Sequence, residues 1–251
     1  MDLGIDGRVA LVMGASRGIG AGIAAALARE GARVAIASRS LDRLTEAGRE
    51  LATEPASFEA DTADLERLTE LPGEIAERLG PVEILVTNTG GPPPCSALEA
   101  DLDAWRTAYE SLVLAPRVLI EAALPTMRER GWGRIVNVGS SSTIEPIPHL
   151  ALSNVHRLAT VGFFKTLSRE VAGDGVTVNT VATGKIATDR QAELTGQSLE
   201  ELADAARESI PAARMGTPDE YGDLVAFLAS ERAAYVTGTV IALDGGLTHS
   251  I

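Results

Sequence analysis

Val9-Ala-Leu-Val-Met-Gly14-Ala-Ser16-Arg17-Gly18-Ile19-Gly20 passes from an unbroken apolar run into a glycine-rich turn, and an alanine-rich helical pattern follows from Ala21. The order is strand, tight loop, helix. Backbone N–H groups and the positive end of a helix dipole converge at such a junction, and residues without a Cβ let the backbone approach a diphosphate closely. A dinucleotide is the ligand this loop suits. The first glycine gap, from Gly14 to Gly18, is wider than in the Gly-x-Gly-x-x-Gly form. Taken alone, the stretch also fits a plain strand-to-helix turn.

Outward from the loop, short apolar runs alternate with longer segments of helical period. Strands are predicted over 8–13, 33–38, 57–60, 83–87, 134–138, 177–181 and 239–243, with helices near 18–30, 41–52, 64–79, 101–130, 150–172 and 218–229. Strict alternation implies parallel strands joined by right-handed helical crossovers. The expected fold class is α/β: a doubly wound parallel sheet in three layers, one domain over 1–251. Continuous apolar runs such as Ile84-Leu85-Val86 suit strands covered on both faces. Between 182 and 217 no strand is predicted, and Thr, Gly and Pro around a polar helix mark a flap over a ligand.

The chain has 251 residues, 45% hydrophobic and 23% charged, enough for a substantial core in one domain. A net charge of -13 repels phosphate backbones, so nucleic acid is not an expected partner. Arg117 and Glu121 interrupt the most apolar stretch, and the start Met1-Asp2-Leu3-Gly4-Ile5-Asp6 lacks the basic region of a signal peptide. No membrane association is expected, and the predicted location is cytoplasmic. Cys95 is the single cysteine, which excludes an intrachain disulfide and offers no thiolate cluster for a metal.

In a doubly wound sheet, ligands bind outside the carboxyl ends of the strands. After the second strand stands Ser38-Arg39, with no carboxylate for a ribose 2′-OH, whereas Arg17 and Arg39 suit a 2′-phosphate. NADP(H) is therefore expected over NAD(H). Asp61-Thr62, Thr87-Asn88-Thr89-Gly90-Gly91 and Gly139-Ser140-Ser141-Ser142 follow the next three strands, small polar residues suited to lining a site.

With these segments in place the chain resembles the short-chain dehydrogenase/reductase superfamily over nearly its whole length, in its 3-oxoacyl-[acyl-carrier-protein] reductase-like branch. The likeness rests on the glycine loop, on Asn88-Thr89-Gly90, and on Gly133-Arg-Ile-Val-Asn-Val-Gly-Ser140. It continues through Val178-Asn179, Gly184 with Thr188, Arg214-Met-Gly-Thr-Pro218-Asp-Glu220, Phe227-Leu-Ala-Ser230, Thr237-Gly238 and Asp244-Gly245-Gly246. The resemblance implies a Rossmann-fold subunit, a nicotinamide cofactor, a homotetramer or dimer, and hydride exchange between a small-molecule alcohol and its carbonyl. It also implies cofactor contacts from Gly14, Ser16, Arg17, Gly18, Ile19, Gly20, Ser38, Arg39, Asp61, Thr62, Asn88, Gly90, Arg157, Gly184, Ile186 and Thr188.

The family's chemistry uses an Asn in the long helix, a Ser after strand five, and a Tyr and Lys four apart on the following helix. In the gap-free frame Ser140 matches the Ser, while Leu112, Ser153 and Arg157 stand for Asn, Tyr and Lys. A second frame, with a three-residue deletion, pairs Leu150 and Asn154 with Tyr and Lys. Both lack the tyrosine. A serine hydroxyl is a far poorer acid than a phenol of pKa ~10, and a guanidinium orients and polarises without relaying a proton. His149 lies four residues before Ser153 and eight before Arg157, so the three share one face if the helix begins early enough; Pro146 and Pro148 favour a loop there instead. Ser140 is the expected donor to a carbonyl, with water or His149 supplying the proton. The expected function is an NADP(H)-dependent carbonyl/alcohol oxidoreductase with a non-standard proton donor. The alternatives are a nucleotide-binding pseudoenzyme acting as sensor or partner subunit, or a non-redox enzyme on the same scaffold.

Overall fold

The computed structural model describes residues 1–250. Strand β1 (Val9–Met13) is followed by α1 (Gly18–Arg29), β2 (Arg33–Ser38), α2 (Leu41–Gly48), β3 (Ala56–Glu59), α3 (Leu65–Leu79) and β4 (Ile84–Thr87). Then come α4 (Leu102–Tyr109), α5 (Ala115–Glu129), β5 (Gly133–Val138), α6 (Ala151–Val171), β6 (Val176–Thr183), α7 (Asp189–Thr195), α8 (Leu199–Ser209), α9 (Pro218–Leu228) and β7 (Val240–Leu243). All seven strands pair in parallel in the order β3-β2-β1-β4-β5-β6-β7. Chain order reverses between β1 and β4, which opens a crevice at their carboxyl ends.

The period-two alternation of β1 sorts its side chains between two cores. Ala10 and Val12 join Ile23, Leu27, Tyr221 and Val225 on the face covered by α1 and α9, while Val9, Leu11 and Met13 join Leu68, Ile75, Leu119 and Phe164 on the face covered by α3, α5 and α6. Helices α1 and α9 meet backbone to backbone, since a Cβ on Gly222 would lie 2.4 Å from the Gly22 carbonyl oxygen. No helix among the described residues is long and apolar enough to cross a membrane.

At the foot of the sheet, opposite the crevice, Trp132 is stacked between Arg8, 4.0 Å from the ring centroid, and Arg134, at 4.4 Å. Burial pushes the Arg134 guanidinium down to about 10, so it remains charged at neutral pH. Arg134 donates from Nε to the Ser230 carbonyl (3.1 Å), Glu231 N–H to Leu3 O (3.0 Å), and Arg232 Nε to Asp2 O (2.9 Å).

Three predicted elements differ in detail. The helix expected over 101–130 is divided by a π-turn at Glu110–Leu114. The flap holds two helices, α7 and α8, rather than one, with a small core of Leu202, Ala206, Ile210 and Met215 beneath them. The helix expected from 150 begins at Ala151, leaving His149 outside it.

Candidate active site

The loop after β1 forms a cradle. Gly14 and Gly18 take φ of +61° and +57°, which L side chains rarely adopt, and a Cβ on Gly20 would lie 2.2 Å from the Gly14 carbonyl oxygen. Asn88, just beyond β4, donates from Nδ2 to that carbonyl at 3.4 Å, so the ends of β1 and β4 are tied across the crevice. The cradle opens onto the start of α1 and fits a diphosphate. Ser38 engages Ser40 at the end of β2, Arg39 is exposed without an ion pair among the described residues, and Asp61 accepts from Ala63 N–H at 3.1 Å.

The flap closes over this crevice. Thr188 N-caps α7 and sets its methyl against Gly18, where a Cβ would meet Thr188 Cγ2 at 3.2 Å. Gly184 is packed against Asp244, whose Cα would be 2.5 Å from a Cβ there, and Ile186 is buried and bridged to Gly216. Arg17 points into the flap: its Nη1 and Nη2 bond the two oxygens of Glu193 at 2.7 and 3.1 Å. On the other flank Arg190 Nη2 donates to the Gly91 carbonyl at 2.9 Å.

A buried polar ladder, Thr87 Oγ1 to Asn137 Oδ1 at 3.1 Å and Asn137 Nδ2 to Thr180 Oγ1 at 3.5 Å, joins β4, β5 and β6 beneath the site. Ser140 follows β5, and its Oγ accepts from Ser142 N–H at 3.1 Å. That bond occupies an oxygen lone pair and leaves the hydroxyl proton available for donation. The Ser142 hydroxyl is buried without a partner among the described residues. Arg157, on α6, donates from Nη1 to the Val138 carbonyl at 2.9 Å, which clamps the helix to the end of β5 and leaves its other nitrogens without a protein acceptor among the described residues. Burial lowers its pKa; Tyr221 opposes that shift and Arg190 reinforces it. Ser153, one turn earlier, is buried and makes no side-chain hydrogen bond among the described residues.

Other candidates are directed elsewhere. His149 is exposed at φ +59°, before the helix, with its Nδ1 3.3 Å from Ser96 Oγ, so the shared face with Ser153 and Arg157 does not form. The prolines hold this segment as a loop. Asn154 exchanges hydrogen bonds with the Ile147 backbone at 2.9 and 3.3 Å, which makes it a clamp on that loop rather than a counterpart of the lysine. Leu112 is buried in the π-turn, and its carbonyl accepts from Thr160 Oγ1 at 2.7 Å. Thr160, Glu193, Arg190 and Tyr221 were not singled out from sequence. Tyr221 is fully buried, its hydroxyl 2.9 Å from Thr183 Oγ1, and burial raises its pKa.

A family model described as Enoyl-(Acyl carrier protein) reductase matches residues 14–248. A 3-oxoacyl-[acyl-carrier-protein] reductase FabG of Vibrio cholerae serotype O1 is 35% identical, with 98% of this chain and 99% of that protein covered. Galactitol 2-dehydrogenase (L-tagatose-forming) of Cereibacter sphaeroides is 38% identical, with 97% and 96% covered. Among solved structures, L-sorbose reductase of Gluconobacter frateurii complexed with NADPH and L-sorbose superposes with a TM-score of 0.92 at 32% identity, over 100% of both chains.

Proposed function

Since the chain belongs to the short-chain dehydrogenase/reductase superfamily, in the family described as Enoyl-(Acyl carrier protein) reductase, we propose that it is an NADP(H)-dependent oxidoreductase that interconverts a small carbonyl compound and its alcohol without the tyrosine–lysine pair. The observation that carries this reading is the glycine cradle at the carboxyl end of β1, on the same edge of the sheet as Ser140 and Arg157 at the end of β5. NADPH, when bound, supplies the hydride that reduces the carbonyl carbon. Ser140 donates its free hydroxyl proton as a hydrogen bond to the oxygen that becomes negative, and Ser142 N–H fixes the rotamer in which it does so. Arg157, clamped to Val138 O, presents its remaining N–H groups to a ribose hydroxyl and adds positive charge close to the developing oxyanion. The proton that completes the alcohol comes from water, since His149 lies outside α6, off the face that carries Ser153 and Arg157.

The preference for the 2′-phosphorylated cofactor is supported by Arg17, Arg39 and the absence of an acid after β2, and by the NADPH held by the L-sorbose reductase. A second reading, a nucleotide-binding pseudoenzyme, is favoured by Leu112 and Ser153: a buried apolar side chain stands where the family has its Asn, and a serine without a side-chain hydrogen bond among the described residues stands where it has its Tyr. NADPH oxidation against diketones, quinones and 3-oxoacyl thioesters separates the two. Turnover is expected, with Ser140→Ala costing about 2.7–4 kcal/mol in kcat/KM and Ser153→Ala little. Binding without turnover in the wild type, with turnover gained by the triple change Leu112→Asn, Ser153→Tyr and Arg157→Lys, would establish the pseudoenzyme.

A further inference from the structure

Glu193 sits where an anion would. It lies on the flap helix α7, yet both of its carboxylate oxygens are held by the guanidinium of Arg17, which belongs to the glycine loop. Asp189, one turn earlier, stands 3.9 Å from the same guanidinium. The hydrogen bonds from Arg17 hold the Glu193 carboxyl below the usual carboxylate range, with smaller contributions from the charges of Arg17, Arg190 and Arg43. Arg17 and Arg43 share a cleft of about 780 Å³ with Ser16, Gly18 and Asp189. Its other acids, Glu46, Glu50 and Asp219, make no bond to Arg17 among the described residues.

A guanidinium fork that grips a carboxylate at two points grips two phosphate oxygens in the same way, and it does not serve both at once. We infer that Glu193 is an internal competitor for the cofactor's 2′-phosphate, so that a phosphorylated dinucleotide must displace it from Arg17 and thereby release one flank of the flap. The inference rests on the NADP(H) reading above. The other flank, Arg190 on the Gly91 carbonyl, is untouched by the exchange. Glu193 thus sets the margin between NADPH and NADH narrower than Arg17 alone would make it. A ligand lacking the 2′-phosphate leaves the pair intact.

Equilibrium titration tests this without turnover, with four ligands: 2′,5′-ADP and NADPH, which carry the phosphate, and 5′-ADP and NADH, which do not. Glu193→Gln is expected to tighten the first two by about two- to fivefold, the worth of an exposed ion pair, and to leave the other two unchanged. Asp189→Asn should have a smaller effect. In an Arg17→Ala background the Glu193 change should have none. Wild-type preference for the phosphorylated ligands that does not grow in Glu193→Gln, or equal tightening of all four, overturns the competition while leaving the cofactor reading intact. A wild type indifferent to the 2′-phosphate overturns both.

Discussion

Thr160 has one hydroxyl proton and two carbonyls within reach, Leu112 at 2.7 Å on the neighbouring π-turn and His156 at 2.9 Å on its own helix. The second contact is the ordinary bond of a helical threonine to the preceding turn. The first satisfies a carbonyl whose α-helical donor would come from position 116, where Pro116 has no N–H to give. Thr160→Val keeps the shape and removes the donor, so the buried Leu112 carbonyl loses a partner; the variant should be less stable by about 1–3 kcal/mol in urea denaturation, with Thr160→Ser restoring most of the loss. An unchanged midpoint would mean that the backbone recloses around Leu112. At this scale the sequence was only half legible. Leu112, Ser153 and Arg157 could be read as departures by counting from Ser140, but the partner of the Leu112 carbonyl lies 48 positions away, and no local spacing announces it. The identity of a residue is local; its hydrogen-bond partner is a property of packing.

Helix α9 illustrates what an element can announce for itself. Thr217 N-caps it, Glu220 returns the bond to the Thr217 backbone, and Pro218 fits the first turn. Arg214 bonds Glu220 in turn and, with the Thr217 N–H, lowers its pKa from 4.5 to about 2. A depressed carboxyl contributes stability above its unfolded pKa and loses it as pH falls through the folded one. The contribution of this cap should therefore be complete above about pH 4.5 and gone below about pH 2. It is small, because both charged partners are largely exposed. Thr217→Ala should cost about 0.5–2 kcal/mol at neutral pH, measured by thermal unfolding, and Glu220→Gln should flatten the acid limb of the stability profile; an acid limb identical to wild type would remove Glu220 from that account. The signature Thr217-Pro-Asp-Glu220 is visible in the sequence, as is Ser198-Leu-Glu-Glu201 at the start of α8. The second box was the available signal for a further flap helix. Strands β1 and β4 were legible because each is buried on both faces and reads as an apolar run, while the edge strands β3 and β7 are only partly covered. The flap helices were less so, because they are short, polar and held by tertiary contacts with a core of four side chains.

At the scale of the molecule, the sheet leaves apolar side chains uncovered on the α4 and α6 side. Leu98 and Leu102 are 98% and 72% exposed, and Val155 and Leu158 are 50% and 55% exposed. Helices α4 and α6 pack on each other, and exposed apolar side chains such as Val155 and Leu158, three apart on α6, are the kind that a symmetric partner covers. We propose that the chain assembles through this side. Light scattering should return a multiple of 26.2 kDa at micromolar concentration, and Leu158→Arg should shift the population toward smaller species. A wild-type mass of 26.2 kDa would refute the assembly.

The stack of Arg8, Trp132 and Arg134 at the foot of the sheet bears on the history of the chain as well as its final state. Trp132 is one of two tryptophans, and its two guanidinium neighbours flank β1 and lie in β5. Arg134 reaches on to Ser230, and the segment just beyond is bonded to Leu3 and Asp2. These contacts span nearly the whole sequence, and loop closure of that length precedes any reward from the contact itself. The indole is thus an optical clock for the moment when the two termini meet. Its emission should mark closure of the circuit, whereas that of Trp105, set at a tilt against His156 across α4 and α6, should register a nearer docking.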